Sequence, residues 1–236
     1  MARKHDRGEG PAFACLTAYD ATTARWLDRA GVHVLLMGDS AAEVMLGHRR
    51  TIDMPMDVSI ALTAAVRRGA GNALVMADMP FMSYHGSPDE AVRNAGRFLT
   101  EGGADCVKLE VDFTFAPLID RMTRAGIPVC AHVGSRPQTA ALTSGYSADG
   151  RTEPRLRQIV ADAKAAQESG AALLLIEAVP PETAAAVMEI ATVPVIGIGA
   201  GTAPHGQILV VHDLLGLTDQ PPRFASAAAA LGEETR

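Results

Sequence analysis

What this 236-residue chain has little of narrows its class before any motif is read. It holds three cysteines, Cys15, Cys106 and Cys130, an odd number set in or beside apolar runs. Buried reduced thiols of a cytoplasmic protein fit that placement better than a disulfide framework. No Cys-x-x-Cys pair or Cys/His cluster is present, so zinc is not expected. No apolar run approaches the ~20 residues of a membrane-crossing helix. Residues 1–11 are charged and lack an apolar stretch, so they read as a flexible tail and not as a signal peptide. Positive charge is short as well: 21 Lys and Arg face 27 Asp and Glu, a net charge of -6. That argues against nucleic acid as a partner, because phosphates need clustered cations. No Gly-x-Gly-x-x-Gly follows the first apolar run, which counts against an open dinucleotide-binding sheet.

What is present is a chain able to fill a core, with 48% hydrophobic and 20% charged residues. Short apolar runs without polar alternation suit strands buried on both faces. They fall at residues 13–17, 34–37, 73–77, 106–109, 128–131, 172–176, 193–198 and 208–211. Helical patterns lie between most of them, at 22–30, 57–68, 88–101, 115–125, 153–169 and 181–190. Ser87 and Pro88 open one helix as N-cap and first residue, and Gly31, Gly69, Gly126 and Gly170 close others. Two long loops, 41–55 and 133–152, interrupt the rhythm; the second is long enough for a lid or binding loop. Eight such units predict an α/β fold, a (β/α)8 TIM barrel over residues 12–225 followed by a short tail, 226–236. The rival is an open doubly wound sheet. Gly199-Ala200-Gly201 reads equally as a weak anion cradle or a tight turn.

The organising stretch is Val34-Leu35-Leu36-Met37-Gly38-Asp39-Ser40, four apolar residues that run into a glycine, an acid and a hydroxyl. Alone, Asp39 is best read as a helix cap. The pattern recurs, however: apolar runs also end at Asp78, Glu110, His132, Glu177 and His212-Asp213. In a barrel these residues share the C-terminal rim, where catalytic groups gather. Clustered carboxylates repel unless a cation neutralises them. Oxygen donors without thiolates point to magnesium or a similar hard ion, which needs only one or two direct carboxylates.

Lys108 precedes Glu110 by two residues and so shares its face. It is read as a cation for a substrate carboxylate or enolate oxygen; the alternatives are a solvent-facing lysine or a Schiff-base amine. Glu177 follows Leu173-Leu174-Leu175-Ile176, an apolar setting that raises a carboxyl pKa towards that of a general base. His132 is either an acid/base or donor group, or a histidine at the edge of the core.

These residues sit in segments that resemble the ketopantoate hydroxymethyltransferase family. The matching segments include Thr17-Ala18-Tyr19-Asp20, Met37-Gly38-Asp39-Ser40, Leu46-Gly47-His48, Ala77-Asp78-Met79-Pro80-Phe81, Val107-Lys108-Leu109-Glu110 and Pro128-Val129-Cys130-Ala131-His132. Glu177-Ala178-Val179-Pro180, Pro194 to Gly201 and Gly206 to Gly216 continue the series in order. The resemblance implies a barrel of the phosphoenolpyruvate mutase/isocitrate lyase type. It also implies magnesium on Asp39, Asp78 and Glu110, and a 2-oxo acid held by Asp39, Ser40, Asp78, Lys108 and His132. Glu177 would be the base that forms the enolate. The electrophile would be 5,10-methylenetetrahydrofolate, the pathway pantothenate biosynthesis, and the assembly a homo-oligomer.

Several segments depart from the family's pattern. Ala41-Ala42-Glu43 replaces Leu-Gly after Asp-Ser. Ser135-Arg136 stands within the motif that runs from His132 to Gln138, and Ser144-Gly145-Tyr146-Ser147-Ala148-Asp149-Gly150 lacks the family's lysine. The family's C-terminal helical extension is not matched beyond Arg223-Phe224. Glu43 and Arg136 are therefore expected specificity positions of a paralogue that takes a related, more polar 2-oxo acid. Two rivals remain: a carbon–carbon lyase or mutase on the same barrel, and a non-catalytic barrel subunit. Relatives of the first kind tend to carry a lid cysteine after the fourth strand, and none lies between Cys106 and Cys130.

Overall fold

The computed structural model describes residues 12–142 and 148–235. The tail expected over residues 1–11 lies outside these. Eight parallel strands close a barrel in chain order: β1 (Phe13–Thr17), β2 (Val34–Met37), β3 (Leu74–Asp78), β4 (Cys106–Glu110), β5 (Val129–Gly134), β6 (Leu173–Glu177), β7 (Val195–Ile198) and β8 (Gly206–Leu209). β8 pairs back onto β1, Cys15 opposite Ile208. The connecting helices are α1 (Ala21–Arg29), α2 (Ala41–Val44), α3 (Met56–Gly69), α4 (Pro88–Thr100), α5 (Ala116–Arg124), α6 (Glu153–Glu168) and α7 (Pro181–Ile190). α8 (Val211–Leu214) and α9 (Leu231–Glu234) follow the last strand. Among the described residues, no helix is long and apolar enough to cross a membrane.

Strand alternation sorts every side chain to one of two places. The outward set, including Val107, Leu109, Val129, Ala131, Leu174 and Ile176, packs under the helices. The inward set fills the barrel with Cys15, Leu36, Met76, Cys106, Cys130, Leu175, Ile196 and Ile208. Both faces are dry, which is why the strands show no polar alternation. The three thiols are free and buried. Burial pushes those of Cys15 and Cys106 up to about 12, so they stay protonated. Side-chain caps open α1 and α4, the second of them the cap that the sequence predicts. Asp20 accepts from the main-chain N–H groups of Thr22 and Thr23 at 2.8 and 2.9 Å. Ser87 accepts from Glu90 at 3.2 Å, ahead of Pro88. Each such cap is worth about 1 kcal/mol.

The last strand differs from the sequence expectation. It runs from Gly206 to Leu209, two residues earlier than the apolar run 208–211 suggests. Gly206 lies so close to Phe13 that a Cβ would fall 2.4 Å from the ring, so the glycine is a packing requirement and not a turn. Val211 leaves the sheet because its N–H bonds Thr17 Oγ1 at 2.8 Å and opens α8. His212 and Asp213 are therefore helical, just past the strand end. Loop 41–55 contains α2 and a 3-10 turn, Thr51–Asp53, and loop 133–152 contains a 3-10 stretch, Pro137–Leu142. The C-terminal segment docks on α8's end, with Ala228 N–H to Leu214 O at 2.8 Å and Leu231 N–H to Leu215 O at 3.1 Å.

Candidate active site

Continuing each strand's inward face to its C-terminal end changes the chemistry. β3 ends on Asp78, β4 on Lys108 and Glu110, β5 passes His132, and β6 ends on Glu177. The register sets Asp78 beside Lys108 and Glu110 beside His132. On β2 the corresponding inward position is Gly38. A Cβ there would meet Ser40 Oγ at 2.9 Å and Asp78 Oδ2 at 3.5 Å, so its bare backbone leaves room for the acid. All of the acids but Glu177 are buried, as are Lys108 and His132. The side chain of Glu177 is 18% exposed. Together they line a cleft of about 1230 Å³ at the barrel mouth.

Asp78 is the hub. Lys108 Nζ pairs with its Oδ1, and the main-chain N–H of Asp39 donates to its Oδ2 at 3.1 Å. Asp39 lies just beyond the strand and accepts from Gln138 Nε2 at 2.9 Å. Ser40 stands at the N-cap of α2 but makes no side-chain cap bond; its Oγ pairs instead with Tyr19 Oη at 2.9 Å. The capping role that Asp39 would have in isolation is thus displaced by long-range contacts.

Four carboxylates share this face with Lys108, the one buried ammonium or guanidinium among the described residues. Burial, then the charge of Asp78, push Asp39 up to about 7, against the pull of Lys108. Burial holds Glu110 well above the carboxylate range; Lys108 opposes this and Asp39 adds to it. Glu177 is raised to about 8, by burial first, with Lys108 opposing and Asp39 and Asp78 adding. Burial alone would lower Lys108, but Asp78, Asp39 and Glu110 outweigh it and keep the ammonium charged. His132 is held well below its ordinary value by burial and by Lys108, so its ring is neutral. Both its nitrogens are buried without a well-formed hydrogen bond. Glu177 Oε2 lies 3.4 Å from Nε2, and Glu110 Oε1 lies 3.8 Å from Nδ1.

Among the described residues, no three His, Cys, Asp or Glu side chains form a ready-made cage for a metal ion. Asp39, Asp78 and Glu110 supply oxygen only, the donor set of a hard cation that completes its shell with water and substrate. Added positive charge here would favour the ionised forms of Asp39 and Glu110, whose pKa values are raised without it.

The two expected specificity positions behave differently. Glu43 lines the cleft and adds to the raising of Asp39. Arg136 pairs with Asp112 at 3.0 Å, and the arginines that line the cleft are Arg151 and Arg223. Of the altered loop 144–150, residues 144–147 lie outside the described residues. β6 leaves the site through Ala178, whose φ of 46° is strained for a residue with a Cβ. Tyr19, Tyr84 and Gln138 join the site without having been singled out from the sequence, because none carries a charge or a nucleophile.

The model of the ketopantoate hydroxymethyltransferase family matches residues 2–236. The chain belongs to this family. A 3-methyl-2-oxobutanoate hydroxymethyltransferase of Halorhodospira halophila is 47% identical over 95% of the chain and 81% of its own length. One from Pyrobaculum neutrophilum is 44% identical over 98% of the chain and 87% of its own length. Family membership makes the protein a transferase. Its barrel resembles those of more distant solved structures. A putative phosphonomutase from Burkholderia cenocepacia J2315 superposes with a TM-score of 0.68 at 18% identity, covering 85% of this chain and 86% of that one. A 2,3-dimethylmalate lyase of the phosphoenolpyruvate mutase/isocitrate lyase superfamily gives 0.62 at 20% identity, covering 84% and 75%. At these identities the likeness is one of fold, and it fixes the barrel type.

Proposed function

We propose that the protein transfers a hydroxymethyl group to C3 of a 2-oxo acid. The acid would be 3-methyl-2-oxobutanoate, as in the names of its relatives, or a related 2-oxo acid. The observation that carries this reading is Glu177, a carboxyl raised to about 8, in the same cleft as the buried Asp78–Lys108 pair. A base of near-neutral pKa beside a fixed cation is what removal of a proton next to a carbonyl requires.

Asp39, Asp78 and Glu110 would hold magnesium, which when bound supplies Lewis-acid polarisation of the keto group. Glu177 takes the C3 proton. The Lys108 ammonium stabilises the oxygen that becomes an enolate, and the neutral His132 ring supplies an N–H to substrate. Ser40 and Asp78 complete the acid's surroundings. C3 then attacks the one-carbon unit of 5,10-methylenetetrahydrofolate. A carbon–carbon and a carbon–oxygen bond form, both carbon–nitrogen bonds of the methylene bridge break, and water supplies the hydroxyl. The two released nitrogens take up the proton removed from C3 and one proton of the water. The volume of the cleft supports a second, larger reactant, since ~300–1,000 Å³ is the range for a drug-sized ligand.

The test is product formation with Mg²⁺ and 5,10-methylenetetrahydrofolate across a panel of 2-oxo acids. The expected result is a gain of CH₂O that chelation abolishes. No product and no C3 hydrogen exchange with any acid would overturn the reading. If 3-methyl-2-oxobutanoate turns over as well as or better than every polar analogue, the expectation that Glu43 marks a retuned pocket fails.

A further inference from the structure

We propose that Gln138 is a positioning residue that aims Asp39 and Glu110 at the cation, with Tyr84 as its support. The inference rests on the magnesium reading above. Gln138 is buried, 3% exposed, and every polar atom of its side chain is used. Its Nε2 donates to Asp39 Oδ2 at 2.9 Å and to the main-chain carbonyl of Met79 at 3.0 Å. Its Oε1 accepts the Tyr84 hydroxyl at 2.8 Å, and its main-chain N–H donates to Glu110 Oε2 at 3.0 Å. One residue of the β5–α6 connection thus grips one oxygen of each of two carboxylates carried by β4 and the β2–α2 turn.

The chemistry fixes the amide's orientation. The Met79 carbonyl can only accept, so it must face the NH₂, and the oxygen is left for Tyr84. Tyr84 Oη gives its proton to Gln138 and receives the main-chain N–H of Glu110 at 3.2 Å. The Tyr84 ring is itself wedged between His85, 4.1 Å between centroids, and Phe115, 5.9 Å. Glutamate would oppose a carboxylate to Asp39, and leucine would take the amide's hydrogen bonds from Asp39 Oδ2 and the Met79 carbonyl and leave Tyr84 Oη with the Glu110 main chain alone. A carboxylate pinned by one oxygen presents the other in a set direction before an ion arrives, which is how outer contacts raise metal affinity.

The test uses Mn²⁺ as the probe, followed by electron paramagnetic resonance and calorimetry on the full chain. Gln138→Leu and Gln138→Glu are expected to weaken Mn²⁺ binding ~10–100-fold, and Tyr84→Phe by a smaller factor. Circular dichroism should stay that of the folded barrel, and saturating Mn²⁺ should recover most of the enolisation rate. Recovery at high metal separates positioning from a general loss of structure. If Gln138→Leu does not fold, Gln138→Glu and Tyr84→Phe carry the test. Folded variants with wild-type Mn²⁺ affinity would overturn this proposal alone. Wild-type protein that binds no Mn²⁺ would overturn it together with the magnesium reading.

Discussion

The lower and upper halves of the barrel interior are built from the same strands on the same inward face, yet they hold opposite chemistry. On β4 the step from Cys106 to Lys108 is two residues, and so is the step from Met76 to Asp78 on β3 and from Leu175 to Glu177 on β6. Below, thiols and aliphatic groups pack without charge, and burial keeps the cysteines protonated. Above, four acids surround one lysine and a neutral imidazole. Sheet geometry supplies the positions and leaves their chemistry open. Charge is tolerated only in the half that opens into the cleft, where an ion, water and substrate can compensate it.

The sharpest way to break this contrast is to extend the apolar half upward by one step. Lys108→Met removes the partner of buried Asp78 and is expected to cost about 3–5 kcal/mol in urea unfolding of the metal-free protein. The double variant Lys108→Met/Asp78→Asn should lose less than Lys108→Met alone. A single-variant cost below ~1 kcal/mol would mean that the pair does not hold the upper half together. Asp78→Asn alone should weaken divalent-cation binding ~100-fold, or ~2.7 kcal/mol by calorimetry; unchanged affinity would remove Asp78 from the proposed metal site.

A pH dependence separates the two halves next. Unfolded Asp and Glu side chains ionise near their ordinary values, whereas Asp39 at about 7 and Glu177 at about 8 keep protons in the folded protein. The folded state therefore binds more protons above pH ~6.5, where the unfolded counterpart of the neutral His132 no longer takes up a proton in opposition, and its stability falls as pH rises from there to ~8. The melting temperature of metal-free protein should drop between pH ~6.5 and pH ~8. Mg²⁺ should restore more of it at pH 8, because it binds the ionised carboxylates. A melting temperature flat in pH would contradict these shifts; the thiols below contribute nothing in this range. The smallest effect is expected outside the cleft. The partners Arg136 and Asp112 are 26% and 29% exposed, so Arg136→Ala should cost no more than about 1 kcal/mol in chemical denaturation and leave the preference among 2-oxo acids unchanged.

Much of this was legible in the sequence, for a physical reason. A strand buried on both faces must be apolar throughout, so each barrel strand shows itself as a run, and the acid ending it marks the rim. Asp39, Asp78, Lys108, Glu110, His132 and Glu177 were readable because charge beside an apolar run is conspicuous. β8 was placed two residues late because Gly206-Gln207 carries no apolar side chain to mark its start, and because Val210-Val211 prolongs the apolar run past the sheet. Gln138 and Tyr84 were hidden because their roles exist only through contacts distant in sequence: Gln138 meets Asp39 across 99 positions. Arg136 was conspicuous for its charge, and what only the structure adds is that this charge is paired with Asp112.

The central claim is that the charged half of the barrel removes a proton from C3 of a 2-oxo acid through Glu177. The direct measurement is C3 hydrogen–deuterium exchange in 3-methyl-2-oxobutanoate and related 2-oxo acids, by nuclear magnetic resonance with Mg²⁺, for wild type and Glu177→Gln. Wild type should catalyse exchange, and Glu177→Gln should lose it by ~10²–10⁴-fold while Mn²⁺ affinity stays nearly unchanged. Exchange retained in Glu177→Gln, at intact metal affinity, would contradict the account.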